Sequence, residues 1–437
     1  MTRRVLIVTS SYAPAIIADM HRARHLSWEL PKIGWRVEIL SPDGSYQLPS
    51  CMDEDGAPFF APGTVTHYVP GFLPGLFRFL GIGSIGWRAL LPMLLAGWGL
   101  LRAREFDLVY FSTTQFPLFL LGPAWKVWLG VPFILDIHDP LFTENAPLPV
   151  WARSSLKHSL SRWLARHIES VSVSGAAGLV AVSPNYLETL RLRHGSKKPA
   201  WLGQGRQAVI PFAVSERDFE VARTTGANLA VPKENQSVRI VYVGAGGPIM
   251  HRSFQLLCRA LAYLRERDPG LLAGVRIELC GTMLGWRDGD PTHLADVAHD
   301  QGVADLVSEN PRRISYRNSV ELLLQADGAL VLGVDDSGYM PSKLFGYALS
   351  GKPLLAAIRK DSPAYMQFQT MSGLGHVIWF DASGDMPLVA AAREVGSFLH
   401  ETAARMKFAR RALLDAFLAP AMARRHALLF EACLADK

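Results

Sequence analysis

Four strand-end loops in this chain carry residues able to do chemistry. In VPFILDIHDP, Asp136 and His138 fall two apart on an apolar strand, so both side chains point to one face. An Asp beside a His at a strand's end can orient a hydroxyl or take its proton. The alternative is a hydrogen-bonded histidine under a loop, and Asp139 before Pro140 reads as a turn residue. In VYVGAGGPIMHRSF, a strand, a glycine turn (Gly244, Gly246, Gly247) and a helix could cradle a phosphate, with His251 and Arg252 as adjacent cations. The third glycine of a dinucleotide fingerprint would fall at Ile249, so that ligand is excluded; a plain tight turn with Ser253 as N-cap is the alternative. In GYMPSKLFGYALSGKPLLA, Ser342 and Lys343 open a helix where backbone N–H groups lack partners, an arrangement suited to a diphosphate. An ordinary helix with Pro341 at its first position, Gly351 after its end and Pro353 beyond would look the same. After the first strand, TSSYAPAIIADMHR leads to Arg22 and Arg24, which face a ligand or are simply solvated.

Asp288-Gly289-Asp290 offers two carboxylates, but its flanking glycine and proline make a turn, and no metal is assigned. The four cysteines are scattered with no CxxC pair, which argues against a zinc ribbon or disulfide framework and fits a reducing, cytoplasmic setting. The net charge of +6 calls for an anionic partner. Its basic residues sit in ones and twos, which argues against nucleic acid and leaves phosphorylated small molecules and a lipid surface. The apolar run near the N-terminus is too short for a signal-peptide core. Ala89–Leu101, with Pro92 inside, falls short of the ~20 residues that cross a bilayer.

These loops need strands and helices to hold them. RVLIVTS, WRVEIL, FDLVYFS, VPFILDIHD, GLVAVS and AVIPF read as strands of a first half; VRIVYVG, VRIELCG, DGALVLG, KPLLAAI and HVIWF as strands of a second. Continuous apolar runs mark parallel strands covered on both faces, and helical-period segments alternate with them. The spacing predicts two doubly wound α/β (Rossmann-like) domains facing a central cleft, with ligands outside the carboxyl ends of the strands. The expected organisation is 1–213 as a first domain, 214–237 as a linker, 238–400 as a second domain and 401–437 as C-terminal helices.

In order and spacing, the YAP loop, the Arg22 helix ending in GWRVEIL, DLVYFST, GVPFILDIHDP, GLVAVSPNYLETL, VIPFAV, VYVGAGG and PSKLFGYALSGKPLLA resemble the GT-B-fold glycosyltransferases of family 4 type, over nearly the whole chain. The resemblance implies sugar transfer from a nucleotide diphosphate sugar, typically retaining, with neither metal nor cofactor. It implies donor phosphates on Ser342 and Lys343, with the turn at Gly244, Gly246 and Gly247 and the pair His251 and Arg252 as second contact. Asp136 and His138 would lie near the reacting sugar and Arg22 on the acceptor side. Relatives commonly carry glutamates where this chain has Gly338 and Gly346, and Asp335 and Asp336 are the nearby substitutes for the sugar and ribose contacts. An epimerase or hydrolase of the same fold, or a non-catalytic nucleotide-binding relative, are the other functions considered. The stretch 72–101, rich in Leu, Phe and Trp with a few arginines, suits either an anionic bilayer interface at the inner face of the plasma membrane or a helix buried under the sheet. The first option fits a polyprenyl-diphosphate-linked sugar as acceptor; a saccharide is the other acceptor considered.

Overall fold

The computed structural model describes residues 2–47, 49–72, 83–103, 106–142, 156–225, 237–283, 285–287 and 289–435. They form two compact units: Met1–Phe212 with Ala419–Lys437, and Ala213–Leu418.

In the first unit the strands are β1 (Arg3–Val8), β2 (Trp35–Pro42), β3 (Val65–Val69), β4 (Leu108–Ser112), β5 (Phe133–Ile137), β6 (Gly178–Ala181) and β7 (Gln207–Val209). They make one parallel sheet in the order β3-β2-β1-β4-β5-β6-β7. The order reverses between β1 and β4, which opens a crevice at their carboxyl ends. Every residue of β4, β5 and β6 is buried, as their unbroken apolar runs require. The helices are α1 (Met20–Glu29), α2 (Ile85–Arg102), α3 (Leu121–Leu129), α4 (Leu156–Gly175), α5 (Pro184–His194) and, from the far end of the chain, α13 (Ala419–Leu434). Pro31 denies α1 a backbone donor, so the helix tightens into a 3-10 turn over Leu30–Ile33 that Gly34 closes at φ +88°.

Helix α2 settles which face of 85–101 is covered. Gly97 approaches Trp125 so closely that a β-carbon would collide with the indole, while Leu91 and Leu95 on the other side stay exposed. One face therefore packs as a buried helix would, and the other stays open; residues 73–82, including Phe77, lie outside the described residues. Among the described residues no helix is long and apolar enough to cross a membrane.

The second unit repeats the plan with β8 (Val238–Val243), β9 (Val275–Cys280), β10 (Val307–Asn310), β11 (Gly328–Leu332), β12 (Leu354–Arg359), β13 (His376–Asp381) and β14 (Gly384–Asp385), in the order β10-β9-β8-β11-β12-β13-β14. All pairs are parallel except the terminal β13–β14 hairpin. The reversal lies between β8 and β11. Its helices are α6 (Glu216–Thr225), α7 (His251–Arg267), α8 (Leu294–Asp300), α9 (Tyr316–Gln325), α10 (Leu344–Leu349), α11 (Pro363–Thr370) and α12 (Leu388–Ala403). The segment 214–237, expected as a linker, thus contains a helix of the second unit, with Phe219 and Ala222 buried in its core. Residues 226–236 lie outside the described residues.

Candidate functional site

At the end of β5, His138 Nε2 lies 2.5 Å from Asp136 Oδ2, both side chains being buried. Strand periodicity brings them to one face, and the carboxylate fixes the imidazole with its proton on Nε2, leaving Nδ1 as the basic nitrogen. Among the described residues no hydrogen bond of normal geometry reaches that Nδ1 or Asp136 Oδ1, both buried acceptors. Burial pushes the Asp136 carboxyl up, but the Arg22 guanidinium and then His138 outweigh it and hold the carboxyl at about 2.

Arg22 is neither solvated nor displayed to a ligand. It is buried, its Nε 2.8 Å from Asp136 Oδ2 and its Nη2 donating to the Ile210 carbonyl at 2.7 Å, over the Phe212 ring. Arg24 is buried too and donates to the Phe59 carbonyl at 3.1 Å. The acceptor-side role expected of Arg22 is therefore replaced by one beneath the site, because its charge is needed against a buried carboxylate.

Sequence inspection missed Asp19. This buried carboxylate accepts from Ser10 Oγ at 2.6 Å and Ser11 Oγ at 3.2 Å after β1, and from the Thr114 backbone N–H at 3.3 Å after β4. It knots together the two loops that flank the sheet's reversal. The signal was present as small polar residues at both strand ends, TSS and STT.

In the second unit, Lys343 comes off the loop after β11 and reaches the turn after β8, across the reversal of that sheet. Its ammonium packs on Gly244, where a β-carbon would collide with it, lies 4.6 Å over the Tyr242 ring and reaches Tyr242 Oη at 3.3 Å. Burial, and after it the like charge of Arg313, push Lys343 down to about 7. Among the described residues no carboxylate pairs with it. Gly244 at φ +122° and Gly247 at φ +83° hold conformations that only glycine adopts readily.

The turn itself is less open than expected. The Gly244 N–H donates to the Cys280 carbonyl at 2.7 Å and the Gly246 N–H to the Thr282 carbonyl at 2.8 Å, so neither amide is directed at a phosphate. Ser253 is not an N-cap; α7 begins at His251, which is exposed, and Ser253 Oγ donates back to the Met250 carbonyl at 2.9 Å. Arg252 donates to Asp335 Oδ2 at 3.1 Å, to Asp385 Oδ1 at 3.1 Å and to the Asp381 carbonyl at 2.6 Å. Arg252 and Asp335, expected on the phosphate and the ribose, thus neutralise each other, and Arg359 also pairs with Asp335. Asp336 Oδ1 accepts from the Gly338 N–H at 2.8 Å, a local turn contact.

Helix α10 spans six residues with Lys343 as N-cap, so Pro341 precedes the helix and exposed Ser342 sits in the turn before it. Gly351 does close the far end at φ +74°. Gly346 lies inside α10 with Val214 Cγ2, 3.9 Å away, as nearest neighbour of an added β-carbon. Gly346→Ala is expected to stabilise the second unit by about 0.5–1 kcal/mol. Gly346→Glu should be accommodated as well. Thermal melts check both; a lower melting temperature for the alanine variant would refute the assignment of open space.

Among the described residues no group of three or more His, Cys, Asp or Glu is placed to hold a metal ion. Asp288 lies outside the described residues, and Asp290 Oδ2 accepts from the Arg287 N–H at 2.9 Å, closing a turn.

The stretch from the second residue of α1 to the end of the first sheet, 21–213, matches the family model described as "Glycosyl transferase 4-like domain". These residues are similar to a glycosyl transferase 4-like domain. The matched stretch contains Arg22, Asp136 and His138, together with all of β2 to β7. A D-inositol 3-phosphate glycosyltransferase from Nocardiopsis dassonvillei is 26% identical over 267 residues, 59% of this chain and 56% of that protein, so the chain spans about half the length of this relative. Beyond the matched stretch, solved structures match through the second unit. Sucrose-phosphate synthase from Thermosynechococcus elongatus has a TM-score of 0.60 at 13% identity, with 100% of both chains covered. Anabaena HepE in complex with UDP-glucose has 0.58 at 15%, covering 97% of this chain and 98% of that one. The catalytic domain of starch synthase IV from Arabidopsis thaliana, bound to ADP and acarbose, has 0.58 at 12% with 100% of both covered. The chain therefore has the two-domain α/β fold of the GT-B glycosyltransferases.

Proposed function

We propose that the chain transfers a sugar from a nucleotide diphosphate sugar to a hydroxyl acceptor, the second unit holding the donor and the first supplying the groups that face the acceptor. The observation that carries this is Lys343: a desolvated ammonium without a carboxylate partner among the described residues, fixed at the reversal point of a doubly wound sheet, where such folds bind ligands. HepE in complex with UDP-glucose and starch synthase IV bound to ADP share the fold, and a diphosphate is the anion that the lysine would meet. As the sugar leaves, charge develops on the diphosphate, and a cation already in place stabilises it without reorganisation. We assign His138 Nδ1 to orienting a substrate hydroxyl, with Asp136 holding the ring; it serves as general base only on an inverting course.

The proposal includes retention of anomeric configuration and no metal. Asp136 is fully buried and held by Arg22 and His138, so it is not placed as a nucleophile. The developing charge falls to Lys343. Nucleotide release from a panel of sugar nucleotides, with and without membrane extract, tests the function, and the anomeric configuration of the product tests its course. Acceptor-dependent release is expected; turnover that ignores acceptor would point to a hydrolase or epimerase, and binding without turnover to a non-catalytic relative.

The acceptor is a saccharide or a polyprenyl-linked sugar. Peripheral contact with an anionic bilayer, at the cytoplasmic face of the plasma membrane, is supported by α2 and α3. Leu91, Leu95, Val127 and Trp128 are exposed there, the Trp98 and Trp128 rings meet at 5.2 Å, and the exposed charges of both helices, Arg102 and Lys126, are basic. Flotation with anionic vesicles at low salt is expected and should be lost in Leu95→Ser/Trp128→Ser; absence of binding by the unaltered chain would remove the membrane from the proposal.

A further inference from the structure

The Asp136–His138 pair is backed by a group from the opposite end of the chain. His426, on α13, is wholly buried in the first unit. Its Nδ1 lies 2.8 Å from the Met422 carbonyl, which can only accept, so Nδ1 carries the proton and Nε2 presents a lone pair. Two donors converge on that lone pair: Tyr110 Oη at 2.9 Å and Arg22 Nη1 at 3.5 Å. Burial, then Arg22, push His426 down to about 3, so the ring stays neutral and remains an acceptor.

The arrangement matters because of an atom it leaves alone. Among the described residues no hydrogen bond of normal geometry reaches Asp136 Oδ1, a buried acceptor on the same carboxylate that grips His138 through Oδ2. The Tyr110 hydroxyl is already close enough to interact with that carboxylate as a hydrogen-bond partner, and Arg22 Nε is ion-paired with it at 2.8 Å. Deprived of His426, their freed donors have Asp136 as the nearest charged acceptor, and a buried donor cannot stay unpaired without cost. The carboxylate would then turn towards them and loosen its hold on His138.

We propose that His426 is a positioning residue: its neutral Nε2 competes with Asp136 for the Tyr110 hydroxyl and one Arg22 nitrogen, and so keeps the carboxylate on His138. This rests on the function proposed above for the catalytic consequence, but not for the geometry. The role also explains why a histidine, rather than an apolar residue, stands in the buried face of α13 among Met422, Leu429 and Phe430.

The test compares His426→Leu, His426→Gln and His426→Asn in the full chain. Glutamine places an amide oxygen near the position of Nε2; asparagine places it near Nδ1, out of reach of Tyr110. For Leu and Asn, kcat for transfer should fall at least tenfold with the donor KM within twofold, and the ¹⁵N signals of His138 should move. For Gln both should return to within threefold and to the original positions. Leu and Asn variants that melt earlier but keep the His138 signals and kcat of the unaltered chain would overturn the proposal and leave His426 a packing residue. If the unaltered chain shows no transferase turnover, the His138 signals alone decide, so failure of the function and failure of the relay are separable. If the leucine variant does not fold, the Gln–Asn contrast decides the same question.

Discussion

Replacing Arg22 by methionine is expected to destabilise the first unit by about 3–5 kcal/mol, one of the two largest effects of a single change in this chain. The reason is electrostatic. Asp136 is wholly buried, and Arg22 is the cation that offsets the cost of keeping its charge out of water. For a unit of this size that corresponds to a melting temperature lower by roughly 6–20 °C. The pH dependence has a definite sign. The folded carboxyl sits at about 2 against an ordinary 3.8, so its stabilisation is fully present above about pH 4 and lost as pH falls towards 2. Methionine should remove that acid-labile component. Adding Asp136→Asn to Arg22→Met should recover most of the lost stability, because a neutral amide needs no counter-charge. Equal melting of Arg22→Met and the unaltered chain would show that the pair carries no stability.

Replacing Lys343 by glutamine should weaken nucleoside diphosphate binding about 10- to 100-fold, the value of a charge-assisted hydrogen bond of ~1.5–3 kcal/mol. Here too pH gives a sharper test than affinity alone. With its folded value at about 7 against an ordinary 10.5, Lys343 is neutral between those limits while the unfolded chain holds the proton. Without ligand, the unfolded state therefore binds more protons there, and stability rises with pH across the window. A bound diphosphate reverses this by drawing the proton back. Binding at pH 8 should accordingly take up a proton, visible as a dependence of the calorimetric heat on the buffer's ionisation enthalpy, and affinity should fall as pH rises above 7. The glutamine variant should lose the uptake. Uptake that persists would place the titrating group elsewhere.

What could be seen in advance follows from where the physics is local. Strands buried on both faces announce themselves as apolar runs, and the eleven segments read as strands all contain one. The strands that escaped, β3, β10 and β14, lie at sheet ends: β3 (VTHYV) and β10 (VSEN) leave residues exposed, so their sequences carry no such run. At the site, Asp136 with His138 and the approach of Lys343 to a glycine turn were legible because strand period and turn chemistry are short-range. The partners that determine their behaviour were not. Arg22 looked like a surface cation, since nothing nearby in sequence reveals that a carboxylate 114 residues away will be buried against it. Arg252 and Asp335 looked like ligand contacts because ion pairing across 83 residues leaves no trace in either segment. Tyr110 and His426, 316 residues apart, could be joined only by the fold.

That first unit is built from two pieces of chain, and the order of synthesis therefore matters. Residues 1–212 leave the ribosome well before α13, and the 206 residues of the second unit (213 to 418) intervene. At ~5–20 residues per second, this is a wait of roughly 10–40 s. Throughout it, Arg22, Tyr110 and the apolar groove that takes Phe430 and Cys433 stand without their cover. The nascent first unit can close its sheet, but it reaches its finished interior only after the second unit has been translated. A stalled or prematurely terminated chain would thus expose an unfinished core rather than release a working half.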